Sequence, residues 1–410
     1  MARTPARYTS STTRSPVVVW ASLLLVVAAV LASAAVSSAA GTRPGANDSG
    51  KFAPTPNGPL YAGVPGALPA NFHDAYNDTY HGWPIRPLHS EHPIRGSFLD
   101  PRGKDDTGLS GYHFGIDISV DDHYPEAGAS RLFSHRVYAV ESGVASVRAN
   151  TFTARCFNRR VEIGHFAYWH VSPIVTAHQH VRAGQQIGWS CRGAWHIHLS
   201  EWQRFRGKRV WVNPLSRGGP LTPYTDTARP VITKLAFFTP PSRPWMPTRS
   251  LASPDSSLPL PSNDLHGRVE LRANIGDPQS FLGFLARRPA WPTAFTPYRV
   301  AVRIQNRNGQ VLMDRVSFQA DQMPQTPYVI HYAPRTIEDD NMKECVGPPA
   351  LPRCAGTYWF RPFSRFREEY WNTKAVPNGN YRVTVTAFDL EGNQGAREIK
   401  VTVKNTQSTR

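Results

Sequence analysis

The stretch AWHIHLSEW, residues 194–202, sets His196 and His198 two positions apart in a run of aromatic and aliphatic residues. In an extended chain residues i and i+2 face the same side, so the two imidazoles stand about 7 Å apart along one face of a strand. One metal ion with its water lies within reach of both, because its nitrogen ligands sit at about 2.0–2.1 Å. A lone H-x-H also arises as two unrelated polar residues on a half-exposed strand, so its partners elsewhere decide the chemistry. Upstream, YHFGIDISV places His113 and Asp117 four residues apart among β-formers. Four residues of straight strand would separate the two side chains by about 13 Å. They share a metal only where the chain bends, and Gly115 between them makes a bend cheap. His113, Asp117 and one of the two late histidines supply two imidazoles, one carboxylate and an open fourth position, the ligand set of a catalytic rather than a structural zinc site.

His170 closes the aromatic run FAYWHV at 166–171. If three residues bind metal, His170 and the unused member of H-x-H remain. Metal-assisted hydrolysis needs a group that takes a proton from water and a donor for the developing oxyanion, and two spare imidazoles can fill both roles. No H-E-x-x-H helix occurs, which excludes an arrangement with glutamate as base. His123, His135, His165, His178 and His180 read as solvated loop or strand positions, and Glu201 as a surface carboxylate rather than a group orienting a ligand.

These residues need strands to position them. Between Trp83 and Leu215 the chain shows short β-rich runs: RVYAV at 136–140, GVASV at 143–147, RRVEIGHFAYWHV at 159–171, QQIGWS at 185–190 and WHIHLSEW at 195–202. Turns such as Glu141-Ser142-Gly143 and Arg182-Ala183-Gly184 separate them, and no convincing amphipathic helix intervenes. The expectation is a mainly β protein, with a small antiparallel sheet over residues 83–220. Residues 221–264 turn Pro- and Ser-rich and read as a linker, in which VITKLAFF at 231–238 has the pattern of a first strand of the next unit. Over 265–405 the alternation is clear: Tyr298, Val300, Val302 and Ile304 share a face, as do Tyr381, Val383, Val385 and Ala387, with Gly392-Asn393 as a hairpin turn. That pattern predicts an Ig-like or fibronectin-like β-sandwich whose role is binding or packing.

Export bounds the rest. Arg3, Arg7 and Arg14 precede an uncharged run from Val17 to Val36, followed by Ser38, Ala39 and Ala40. Residues 1–40 therefore read as a secretory signal, and residues 17–36 would serve as an N-terminal membrane tether if uncleaved. Either way the remainder is expected outside the cytoplasm, extracellular or associated with the cell wall. Residues 41–82, rich in Gly, Pro, Asn and Ala, read as a linker or arm. Beyond residue 40, 43 basic residues face 30 acidic ones, a formal charge of +13. An exported basic chain without a nucleic-acid-binding module points away from nucleic acid and toward anionic cell-wall polymers or membrane surfaces. The spacing of Cys156, Cys191, Cys345 and Cys354 suggests two disulfides, Cys156 with Cys191 and Cys345 with Cys354; the absence of any C-x-x-C disfavours a zinc site from these four.

In order and spacing, H-x-x-x-D at 113–117, YAVESGVASV at 138–147, YWH at 168–170, VRAGQQIG at 181–188, H-x-H at 196–198 and NPL at 213–215 resemble the M23 family of zinc metallopeptidases, the lysostaphin- and LytM-like cell-wall endopeptidases. The resemblance covers about residues 83–220. It implies one zinc ion bound by His113, Asp117 and His198, with His196 and His170 as the catalytic histidines, in a small antiparallel sheet bearing a narrow groove. It also implies hydrolysis of peptide bonds of bacterial peptidoglycan, in cross-links or stem peptides. The alternative is a non-catalytic relative serving as a wall-binding or regulatory module; this chain carries every residue of the family's site. It departs from the family in the short GWSCRGAW before H-x-H, where a Gly- and Ser-rich loop is common, and in the long segment 121–135.

Overall fold

The computed structural model describes residues 64–68, 76–101, 111–120, 127–129, 133–148, 159–194, 196–205, 207–216, 218–241, 256–278, 294–333 and 358–406. The expected leader 1–40, His123, Trp195, Cys156, Cys345 and Cys354 lie outside these residues, and with them both expected disulfides. The described residues belong to one compact unit, Pro44–Arg410. Antiparallel strands and short 3-10 turns build it, and no described helix is long and apolar enough to cross a membrane.

The first half centres on a seven-stranded sheet ordered Ile94–Gly96, Ile116–Ser119, His196–Phe205, Phe166–Trp169, Arg160–Ile163 and Ser146–Arg148, with Lys208–Val212 returning as a hairpin on His196–Phe205. Strand alternation divides it cleanly. Ile116, Ile118, Val161, Ile163, Phe166, Tyr168, Ile197 and Leu199 are buried in the core on one face. The alternate residues of these strands, Asp117, Trp169, His196 and His198 among them, share the other face. Phe166–Trp169 joins Arg160–Ile163 through the two-residue turn Gly164-His165. Gly164 takes φ +57, and a Cβ there would strike the Glu141 carboxylate. Smaller sheets pair Gln186–Cys191 with Phe133–Tyr138 and Val171–Pro173, and Gly143–Val144 with His180–Val181.

The second half contains two further antiparallel sheets. Val231–Phe238, inside the segment expected as a linker, is a strand and pairs with Arg268–Pro278. In the other sheet Arg299–Asn306 lies between Val311–Gln319 and Gly379–Phe388, which pairs with Gln394–Val403. Val300, Val302, Ile304, Tyr381, Val383, Val385 and Ala387 are buried as their alternation requires, and they join Val269, Leu271, Ala273 and Ile275 in one core. That core is continuous with the core of the first half. Tyr112 packs against Tyr328, His331 and Tyr332 at ring separations of 6.4, 6.4 and 6.3 Å.

Part of the segment read as an arm is packed too. Tyr76 Oη donates to Glu201 at 2.6 Å, Asn77 N to Glu141 at 2.7 Å, and Gln322 N to the Gly66 carbonyl at 2.8 Å. Its apolar Tyr76, Tyr80 and Val64 supply the contact surface that its Gly- and Pro-rich composition conceals.

Candidate metal centre

Strand register delivers the first contact of the site. His198 is the cross-strand neighbour of Asp117, and His196 that of Ser119, so both imidazoles and the carboxylate meet on one face. His198 Nδ1 lies 3.0 Å from Asp117 Oδ1, and His196 Nε2 lies 3.4 Å from the same oxygen. His113 arrives by the bend that Gly115 permits: the strand begins only at Ile116, and His113 Nε2 stands 3.2 Å from Asp117 Oδ1 and 2.8 Å from His198 Nδ1. Gly115 is also required by close approach, since a Cβ there would meet the Leu199 carbonyl at 2.4 Å and His198 Nε2 at 2.8 Å.

The outward nitrogens fix the rings. His113 Nδ1 donates to the Ser97 carbonyl at 2.8 Å, which leaves Nε2 as a bare lone pair. His198 Nε2 is 2.7 Å from Ser200 Oγ, so with the proton on Nε2 its Nδ1 is bare as well. Two imidazole lone pairs and a carboxylate oxygen then converge at 2.8–3.2 Å with no proton between them. Such lone pairs repel until a proton or a cation joins them, and their atoms all lie within 4.8 Å of one another. His113, Asp117 and His198 are 4%, 3% and 6% exposed, so water does little to relieve that repulsion. Two nitrogens and one carboxylate oxygen on a buried strand face suit zinc, with the remaining position open.

The two further histidines lie beside this cluster. His196 Nδ1 is 2.5 Å from the Ala194 carbonyl, which accepts its proton and leaves Nε2 bare toward Asp117. Arg95 Nη1 donates to the same carbonyl at 3.2 Å and stands 3.1 Å from Nδ1. Burial first, then the neighbouring His170 and Arg95, hold His196 well below the usual imidazole range against the pull of Asp117. Burial likewise holds His198 down to about 4. His170 sits just past Phe166–Trp169 with φ +62, a left-handed backbone rare for a side-chain-bearing residue, and its carbonyl accepts from Cys191 N at 2.8 Å. This turn brings its ring within 4.7 Å of the His196 ring, centroid to centroid, and 6.5 Å of the His198 ring.

Aromatic rings and arginines surround the centre. Phe114 packs on His198 at 4.6 Å, Trp169 at 5.7 Å and Trp211 at 5.3 Å. Arg160 stacks over Trp169 at 4.5 Å, and Arg209 over Trp202 at 4.3 Å. The sheet face therefore offers a stripe of rings and positive charge running away from the cluster.

The other sequence candidates fall elsewhere, and three differ from expectation. Glu201 is fully buried on the opposite face of its strand, where it accepts from Tyr76 Oη and Gln203 Nε2. His165 is mostly covered, with Nδ1 2.9 Å from Glu141 Oε1, and His135 is buried, its backbone N bonded to Ser190 Oγ. His178 and His180 are exposed as expected. Ser200 and Arg95 were not singled out from sequence. Ser200 continues the same alternation, H-x-H-x-S, and could have been read from it; Arg95 could not, because its partner lies about a hundred residues away.

No protein-family model matches the chain, and no curated protein matches it.

Proposed function

We propose that the chain is a secreted zinc-dependent endopeptidase of the M23 type, acting on peptide bonds of bacterial peptidoglycan, with a C-terminal Ig-like sandwich. The observation that carries this reading is the convergence of His113 Nε2, Asp117 Oδ1 and His198 Nδ1 beside a bare His196 Nε2. Zinc held there supplies Lewis acidity toward a scissile carbonyl and acidifies water. His196, kept neutral near pH 7 by burial, takes the proton through Nε2, while the Ala194 carbonyl, accepting from Nδ1, holds its tautomer. His170, on the strained turn, donates to the oxyanion that develops at the carbonyl. Phe114 and Trp169 wall the centre against bulk water, which strengthens these interactions. Arg160 on Trp169 and Arg209 on Trp202 share one carboxylate, Glu162, at 2.9 and 4.0 Å, so a surplus of positive charge remains that favours an acidic partner, as the carboxylates of wall peptides are.

Purified peptidoglycan incubated with the full chain should release new amino groups. A zinc chelator should stop that release and added zinc restore it. New reducing sugar ends without amino groups would contradict a peptidase.

A further inference from the structure

A second group of acids takes no part in this chemistry. Asp226 lies on the segment that connects the halves, Asp277 at the end of Arg268–Pro278, and Asp389 just past Gly379–Phe388. Each offers a carboxylate oxygen, and these oxygens lie within 4.8 Å of one another. Asp226 and Asp389 are 7% and 1% exposed. Asp389 Oδ1 accepts from the backbone N of Gly392 and Asn393 at 2.6 and 2.7 Å, and Asp226 Oδ1 from Ala228 N at 2.9 Å. Those bonds hold two of the carboxylates in place.

The third carboxylate is the informative one. Asp277 Oδ1 is closed off from solvent and has no hydrogen-bond partner among the described residues. Asp277 as a whole is only partly buried, and the charges of Asp389 and Asp226 that act on its carboxyl are of its own sign. Asp277 and Asp226 face a cavity of about 50 Å³ whose lining also includes Asn213, Thr296 and Tyr224 and, on its other walls, apolar side chains such as Phe98 and Leu390; Asp389 stands beside Asp277 rather than in that lining. That space exceeds the roughly 10–15 Å³ one water needs, so an ion and part of its shell fit. A carboxylate oxygen closed off without a donor is unfavourable unless the carboxyl takes up a proton or a cation meets it, and the like charges of Asp226 and Asp389 favour either.

We propose that Asp226, Asp277 and Asp389 bind a calcium ion. The donors are all hard oxygens, which disfavours zinc and selects calcium, magnesium or manganese. Three carboxylates in an irregular cavity match calcium's tolerance for six to eight oxygen ligands better than the near-octahedral, water-rich shell of magnesium. The ion ties the connecting segment to two strand ends of the second half, where Asn393 Nδ2 already donates to the Asp226 carbonyl at 2.7 Å. An exported site of this kind works at an affinity of about 10⁻⁴–10⁻³ M.

The test is thermal unfolding of the full chain, stripped with EGTA and then given about 5 mM calcium or magnesium. Calcium should raise Tm by about 2–4 °C. Asp277→Asn should abolish the rise and, in EGTA, should unfold at or above the wild-type temperature, because like-charge repulsion is relieved. Terbium in place of calcium should show emission sensitised by Tyr224 in the wild type and lose it in Asp277→Asn. If Asp389→Asn, whose carboxylate also caps a turn, fails to fold, Asp277→Asn still decides, since its Oδ1 holds no hydrogen bond. A wild-type Tm unmoved by calcium, or a full shift retained by Asp277→Asn, overturns the site. An equal response to magnesium overturns the choice of calcium, and a shift that His198→Ala removes would place the ion at the other cluster.

Discussion

His198 and His196 sit two residues apart on one face, yet their nitrogens do different work. His198 Nδ1 points into the cluster with His113 and Asp117, whereas His196 turns its protonated Nδ1 to the Ala194 carbonyl and leaves Nε2 bare at the cluster's edge. His198→Ala should therefore abolish zinc binding, read by elemental analysis. His196→Ala should retain most of the zinc and lose turnover by about 10²-fold or more, the usual scale of a general base. Full zinc in His198→Ala would displace it from the ligand set. At this scale the alternation of a strand and one bend-permitting glycine made the cluster legible, because both depend on local geometry. The Ser97 carbonyl and Arg95 were not legible, since loops far off in the chain bring them in. Glu201 and His165 defy the sequence reading for the same reason: their partners, Tyr76 and the buried Glu141, lie 125 and 24 residues away.

Elements aim these side chains. The bend at Gly115 brings His113 back over Asp117, and the same glycine lets the chain pass against Leu199 and His198. Gly115→Ala should lower zinc affinity by about 10–100-fold, the range seen when groups that orient ligands are lost, while strand content by circular dichroism stays unchanged. Unaltered affinity would show that the bend tolerates a side chain. Periodicity announced most strands, including the mutually buried faces of Arg299–Asn306 and Gly379–Phe388. It did not announce the packed residues at 64–68 and 76–82, where glycine and proline mask the few apolar side chains that carry the contact.

Across the molecule, the second half reaches the loop that carries His113. Tyr332 Oη donates to the Leu99 carbonyl at 3.0 Å, and Leu99, held at φ +69, donates its N to the His113 carbonyl at 2.8 Å. Tyr332→Phe should weaken zinc binding by several-fold without touching the cluster; equal affinity would uncouple the halves. Next to Tyr332, buried His331 has a pKa lowered to about 3, chiefly by burial and then by Arg361. Its folded value lies below the unfolded one near 6.5, so the unfolded chain binds the extra proton first. Stability should fall as pH drops from about 6.5 toward 3, by up to about 1.4 kcal/mol per pH unit for this one group. His331→Phe keeps a ring against Phe318 and Tyr112 and should flatten that slope in urea unfolding; an unchanged slope would assign the loss to other groups. The continuous core was not legible in sequence, because Pro- and Ser-rich stretches look like separators whether or not the flanking units dock.

The most direct measurement of the zinc peptidase assignment combines zinc content with amino-group release from purified peptidoglycan, for the wild-type chain and for His196→Ala. The account predicts one zinc per chain in the wild type and most of it in the variant, with release in the wild type that falls by about 10²-fold or more in the variant. Zinc in both proteins with release in neither would contradict catalysis and leave a wall-binding module, and release that persists in His196→Ala would remove that histidine from the mechanism.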